Sequence, residues 1–156
     1  MKQRLDAQLV APDLYRALLG VEKYLRSNVE HSLYELVKLR ASMVNGCAFC
    51  IDMHSHDALA AGESLERLFG LAAWHESPWF TEAERAALAL TDEITRLGPD
   101  GVSDDVWEEA ARHFDERQLV DVVGAASMIN LWNRLSIATR KLPASFASGS
   151  AHDHPG

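Results

Sequence analysis

Cys47 and Cys50 stand three apart, and His54 follows four residues later. At ~100° per residue, the three side chains fall within an arc of roughly 60° on one helix face. Cys47 sits at the expected helix start, directly after Asn45-Gly46, where unpaired backbone amides and the positive end of the helix dipole favour a thiolate. His54 lies one turn beyond Cys50, within hydrogen-bonding reach of its sulfur, which makes Cys50 the candidate activated nucleophile. Positions three apart on a helix hold their Cα atoms ~5 to 6 Å apart, inside the window a disulfide needs. Cys47 can therefore resolve an oxidised Cys50 without large backbone movement.

The element before this stripe must present a partner to it. Asn45-Gly46 suits the left-handed turn after a helix end, so a helix over about Val29 to Val44 stops there and a hairpin follows. A mirror count about that turn places Glu35 opposite roughly residue 56, within about a turn of His54. A carboxylate there would raise the basicity of the imidazole and hold one tautomer, giving a Glu35–His54–Cys50 proton relay. On its own helix, however, Glu35 shares a stripe with Asn28, His31 and Ser42, so the pattern alone does not turn it inward.

Apolar spacing and punctuation predict the other elements. Leu14, Leu18, Val21 and Leu25 form one stripe on a helix over about residues 13 to 26. The helix from Cys47 ends at Gly62, a short one runs from Ser64 to about Ala73, and Trp74 to Phe80 is irregular. Thr81 and Glu84 form a capping-box pattern for a helix reaching Leu97, before Gly98-Pro99. Ser103, followed by Asp104 and Asp105, opens a helix to about His113. The last helix, about Glu116 to Lys141, is nearly all apolar or small from Val122 to Ile129, which predicts burial on several sides. Asn130, Asn133 and Arg134 on that helix predict a buried polar network or a subunit contact. Residues 143–156, beginning at Pro143, read as a flexible tail in which His152 and His154 are solvated. No alternating segment is long enough for a strand. The expected fold is all-α, one domain over residues 1–142 with six or seven helices around a helical hairpin.

Composition narrows the function classes. In 156 residues, 15 Lys+Arg against 23 Asp+Glu leave a formal net charge of −8, which disfavours nucleic-acid phosphates and anionic membranes as partners. No run approaches the ~20 apolar residues of a membrane span, and charges interrupt the N-terminus. The expected compartment is a reducing cytoplasm, where two cysteines three apart are redox-active or metal-binding in preference to a structural staple. No phosphate-cradling Gly-rich loop is present, and the chemistry above needs no cofactor.

Glu35, eleven residues, Cys47-x-x-Cys50, three residues and His54 together resemble the signature of the alkylhydroperoxidase D family, within the carboxymuconolactone decarboxylase superfamily. Leu36 to Arg40, Trp74-His75-Glu76-Ser77-Pro78, Thr81-Glu82-Ala83-Glu84-Arg85 and Asn130-Leu131-Trp132-Asn133-Arg134 resemble further blocks of that family. The resemblance implies an all-helical homo-oligomer, a trimer or a hexamer. It implies that Cys50 is the peroxidatic cysteine, that Cys47 donates a proton and then forms the disulfide, and that Glu35 and His54 activate them. A hydroperoxide would be the substrate and an external dithiol or protein the reductant. The departure from the pattern is Phe49, where the best-studied members carry a second histidine.

Competing readings stand beside this one. Cys47, Cys50, His54 and either His56 or His31 offer zinc ligands, although no second pair closes the tetrahedron and His56 lies off the stripe. The same cysteines would also serve a disulfide oxidoreductase or redox sensor with a protein client. A carboxymuconolactone decarboxylase-type enzyme and a non-enzymatic assembly protein complete the alternatives. Trp74, Trp79, Trp107 and Trp132 are assigned to core or subunit contacts ahead of a substrate pocket.

Overall fold

A computed structural model describes residues 2–147, all of the ordered structure being helical. Among the described residues there are seven helices of six residues or more: α2 (Pro12–Asn28), α3 (His31–Asn45), α4 (Ala48–Ala60), α5 (Leu65–Gly70), α6 (Glu82–Thr95), α7 (Asp104–His113) and α8 (Glu116–Thr139). Two four-residue helices, α1 (Ala7–Val10) and α9 (Ala144–Ala147), flank them, and a 3₁₀ turn over Leu71–Ala73 continues α5. No strand occurs among these residues, and no helix is long and apolar enough to cross a membrane.

Local sequence chemistry starts most of the helices. The Thr81–Glu84 capping box is formed at α6, and Asp115 with Gln118 forms a second one at α8. Ser103 caps α7, and Glu30 accepts from the amides of Ser32 and Leu33 at the start of α3. Gly46 closes α3 with φ 68°, and the Cys47 amide bonds back to the Ser42 carbonyl at 3.0 Å. Trp74 to Phe80 is held from outside, because the Arg85 guanidinium donates to the carbonyls of Trp74, His75 and Ser77.

The centre of the molecule is α3, whose residues from Leu33 to Ser42 are all buried. It packs against α8, α6 and α4 at once, so no face of it is left to solvent. Arg40 locks it to α6 through two short bonds to Asp92, 2.6 and 2.7 Å, and it also bonds the Leu71 and Ala72 carbonyls. The expected polar network on α8 is present. The Asn45 amide donates to both Asn130 and Asn133 at 2.8 Å, Asn133 donates to Ser42, and Arg134 donates to Asn130. The described start of the expected tail carries α9, where Ser145 donates to Asp52. His152 and His154 lie outside the described residues.

Candidate active site

The hairpin of α3 and α4 assembles the motif. Cys47 is the residue preceding α4, with an extended backbone, and Cys50 lies in the first turn. Both sulfurs are enclosed, each residue being 1% exposed, and Cys47 Sγ donates to Cys50 Sγ at 2.6 Å. That bond is the chief reason the Cys50 thiol is pulled down to about 7 despite its burial, with Asn133, Ser136 and the Lys141 cation adding to the effect. The same bond, with burial and the charge on Cys50, pushes the Cys47 thiol upward. The pair is thus divided into a ready thiolate and a retained thiol.

Glu35 is turned fully inward, 1% exposed, and its Oε2 lies 3.2 Å from Nδ1 of His54 on α4. A carboxylate can only accept, so Nδ1 carries the proton and Nε2 is the basic nitrogen. Burial lowers the His54 pKa more than Glu35 raises it, so the ring is neutral near pH 7. Burial alone would raise the Glu35 carboxyl, but the bond from His54 and the charge of Lys38 bring it below the usual carboxylate range.

The spacing places the imidazole within hydrogen-bonding reach of the Cys50 sulfur. Among the described residues no hydrogen bond joins them; Glu35 holds Nδ1 of His54, Nε2 makes no bond to the sulfur, and Cys50 accepts from Cys47. His54 and Cys50 instead line one cavity of about 280 Å³, together with Tyr15, Phe49, Met53 and Trp132. Of the four tryptophans, Trp132 lies in that wall, Trp74 is core stacked on His75, and Trp79 and Trp107 are exposed.

Sequence reasoning missed Lys38. Its Nζ is buried 3.3 Å from Glu35 Oε1 and 3.3 Å from Glu22 Oε1, and it stands 4.3 Å from the centroid of the Tyr34 ring. Glu22 is fixed in turn by Tyr34 Oη at 2.7 Å and by Trp132 Nε1 at 3.2 Å. Trp132, Glu22, Lys38, Glu35 and His54 form one continuous chain of hydrogen bonds and ion pairs from α8 through α2 and α3 to α4, half-buried at Trp132 and Glu22 and buried from Lys38 onward. The available signal was Lys38 one turn after Glu35, in a segment otherwise rich in apolar residues. The zinc set considered above is not assembled: the His56 side chain is 70% exposed and its Nδ1 lies 2.7 Å from the Asp52 carbonyl, while His31 is exposed. Among the described residues, the group with ligand atoms close enough to share a cation is Glu35, His54 and Asp57, which contains neither cysteine.

Residues 12–93 match the profile of the carboxymuconolactone decarboxylase family. The chain is 40% identical over 146 residues to the uncharacterized protein YdfG of Bacillus subtilis strain 168, covering 93% of this chain and 99% of that one. It is 30% identical over 113 residues to the uncharacterized protein YnjA of Escherichia coli K12, covering 72% of this chain and 62% of YnjA. Its structure superposes with a TM-score of 0.88 and 36% identity on ATU0492 of Agrobacterium tumefaciens, covering 91% of this chain and 98% of that one. ATU0492 is described as a protein of unknown function proposed to be the antioxidant defence protein AhpD. The debrominase Bmp8 shares the fold alone, with a TM-score of 0.77 at 22% identity over 89% of this chain and 75% of Bmp8. With more than half of its length matching the family profile and a near full-length relative at 40% identity, the chain belongs to the carboxymuconolactone decarboxylase family and has the AhpD-like helical fold.

Proposed function

We propose that the protein is a thiol-dependent peroxidase of the alkylhydroperoxidase D type, working in a reducing cytoplasm. The observation that carries this reading is the enclosed Cys47–Cys50 pair, whose Cys50 thiol is held near 7 at the wall of a cavity it shares with His54. A hydroperoxide entering that cavity bridges the gap between the basic Nε2 and the sulfur. His54 takes the residual Cys50 proton at Nε2, and Glu35 steadies the imidazolium that forms. The thiolate attacks the terminal peroxide oxygen. An S–O bond forms as the O–O bond breaks, Cys50 becomes the sulfenic acid, and His54 returns the proton to the departing alkoxide, giving the alcohol. The Cys47 sulfur then displaces hydroxide from Cys50, and its thiol proton leaves with that hydroxide as water. An external dithiol, free or carried by a protein, reduces the resulting disulfide and is itself oxidised to a disulfide.

The substrate is a hydroperoxide small enough to enter the cavity over Cys50, since both sulfurs are otherwise buried. The reading includes a homo-oligomer, trimer or hexamer, supported by Val120, Leu131 and Ile137 standing exposed on α8. Mass spectrometry of the thiols before and after one equivalent of hydroperoxide tests the proposal. The expected result is transient sulfenic acid on Cys50, then loss of both free thiols, with Cys50→Ser inert. Unchanged thiols, or full peroxide consumption by Cys50→Ser, would overturn it.

A further inference from the structure

Beyond the paired Lys38, the cavity over Cys50 is lined by two cations to which the mechanism above gives no step, Arg26 and Lys141, and Lys141 is the one whose charge reaches the Cys50 sulfur. Helix α8 ends at Thr139, Arg140 takes the left-handed conformation with φ 55°, and the Lys141 amide bonds back to the Ser136 carbonyl at 2.9 Å. This cap carries Lys141 off the helix and over the start of α4. Its Nζ stands 4.2 Å from the centroid of the Phe49 ring and 5.8 Å from that of Tyr15, and all three residues line the cavity with Cys50. Among the described residues no carboxylate lies within ion-pair distance of Lys141. The acids on flanking segments are committed elsewhere, Asp6 to the amides of Gln8 and Leu9, and Asp52 to Ser145.

Of the other charges lining the cavity, Arg26 is exposed on α2, and the rest have partners. Glu22 and Lys38 satisfy one another, and Asp57 lies beside His54 at the opposite end of the α4 segment from Phe49. The space between is apolar and small. At ~30 Å³ per water it equals about nine waters, room for roughly ten non-hydrogen atoms.

We propose that Lys141 is a carboxylate-binding subsite, and that the substrates are small hydroperoxides bearing an acid group. The carboxylate pairs with Nζ, the hydrocarbon lies on Tyr15, Leu19, Phe49, Met53 and Trp132, and the peroxide faces Cys50. The assignment of the substrate as a peroxide rests on the peroxidase reading above; the subsite itself does not. Lys141 is also one of the groups that pull down the Cys50 thiol, so its field reaches the sulfur.

Two measurements on the full chain separate these claims. Calorimetry compares binding of hexanoate with that of hexanamide, and steady-state kinetics compares a medium-chain hydroperoxy acid with its methyl ester. The expected preference for the acid is about tenfold in each, the effect of one charge-assisted pair in a partly screened site. Lys141→Met brings both ratios close to one and Lys141→Arg retains them. Because each is a ratio within one variant, any shared change in Cys50 reactivity cancels. Equal binding of the two hexanoyl compounds, or ratios that survive in Lys141→Met, overturns the subsite. Turnover of both hydroperoxides at equal efficiency also overturns it, while leaving the peroxidase reading standing. Selective binding of hexanoate with neither hydroperoxide consumed supports the subsite and overturns the peroxidase reading.

Discussion

Glu35 Oε2 lies 3.2 Å from Nδ1 of His54 across the α3–α4 hairpin, with both residues buried. The contact fixes which imidazole nitrogen is basic and places a counter-charge where an imidazolium would form. Glu35→Gln keeps the shape but removes the counter-charge, and its amide can face Nδ1 with either end, so the tautomer is no longer fixed. Under the proposed mechanism, the rate of sulfenic acid formation on Cys50 falls about 100-fold, the usual scale for a disabled general base. Stopped-flow oxidation with excess hydroperoxide measures this directly.

Lys38 is clamped between Glu22 and Glu35, and removing it leaves two carboxylates facing each other in the interior. Lys38→Met is expected to lose about 3 kcal/mol of stability, since breaking a buried ion pair from one side strands the other charge. Urea denaturation reports the loss. A double substitution, Lys38→Met with Glu22→Gln, recovers part of it by removing one stranded charge.

Acid should weaken the fold in a defined order. His54 has a folded pKa below its ordinary value of 6.5, so just below that pH the unfolded chain binds the extra proton and stability drops as pH falls. Glu35 is also lowered, so its contribution is present at neutral pH and is lost as pH falls through its folded value. Thermal melts from pH 7 downward should show both losses. In His54→Gln, the earlier loss should disappear.

Cys50 should react with iodoacetamide along a titration centred at about 7, fast above and slow below. Because the bond from Cys47 is the largest cause, Cys47→Ala should move the midpoint up toward the ordinary 9.0. An unmoved midpoint would assign the shift to Asn133, Ser136 and Lys141 instead.

The turn that delivers Cys47 depends on a left-handed residue. A Cβ at Gly46 would meet no atom within 4 Å, so Gly46→Ala isolates backbone strain from packing. The expected cost is about 1 to 2 kcal/mol, read as a lower urea midpoint with an unchanged slope. Gly46→Asn should cost less, because asparagine tolerates this conformation better than alanine.

The sequence carried the Cys47, Cys50 and His54 stripe, the Asn45-Gly46 turn and the Thr81 capping box because each depends on neighbours in the chain. Glu35 was harder. Its stripe with Asn28, His31 and Ser42 suggests a wet face, yet α3 is surrounded, and when every face is buried, periodicity no longer distinguishes inside from outside. Lys38 was hidden for the same reason: its charge is balanced by Glu35, itself turned inward, and by Glu22 arriving from α2. Lys141, some ninety residues from Phe49, was beyond any local rule, since a helix cap decides where it lands. The missing bond between His54 and Cys50 shows the opposite limit. Helical spacing put them one turn apart, but spacing does not set where the ring points: Glu35, from α3, holds Nδ1, and Nε2 makes no bond to the sulfur.

Asn45 fastens the end of α3 to α8 by donating one amide group to two oxygens, those of Asn130 and Asn133. It also precedes Gly46, and an asparagine before glycine is the dipeptide most prone to spontaneous loss of ammonia. That ageing reaction would exchange the donor for a carboxylate facing two amide oxygens, turning a fastening into a repulsion. The hydrogen bonds that hold the Asn45 amide and the Gly46 N–H therefore also restrain the one backbone attack by which the approach to the thiols could age.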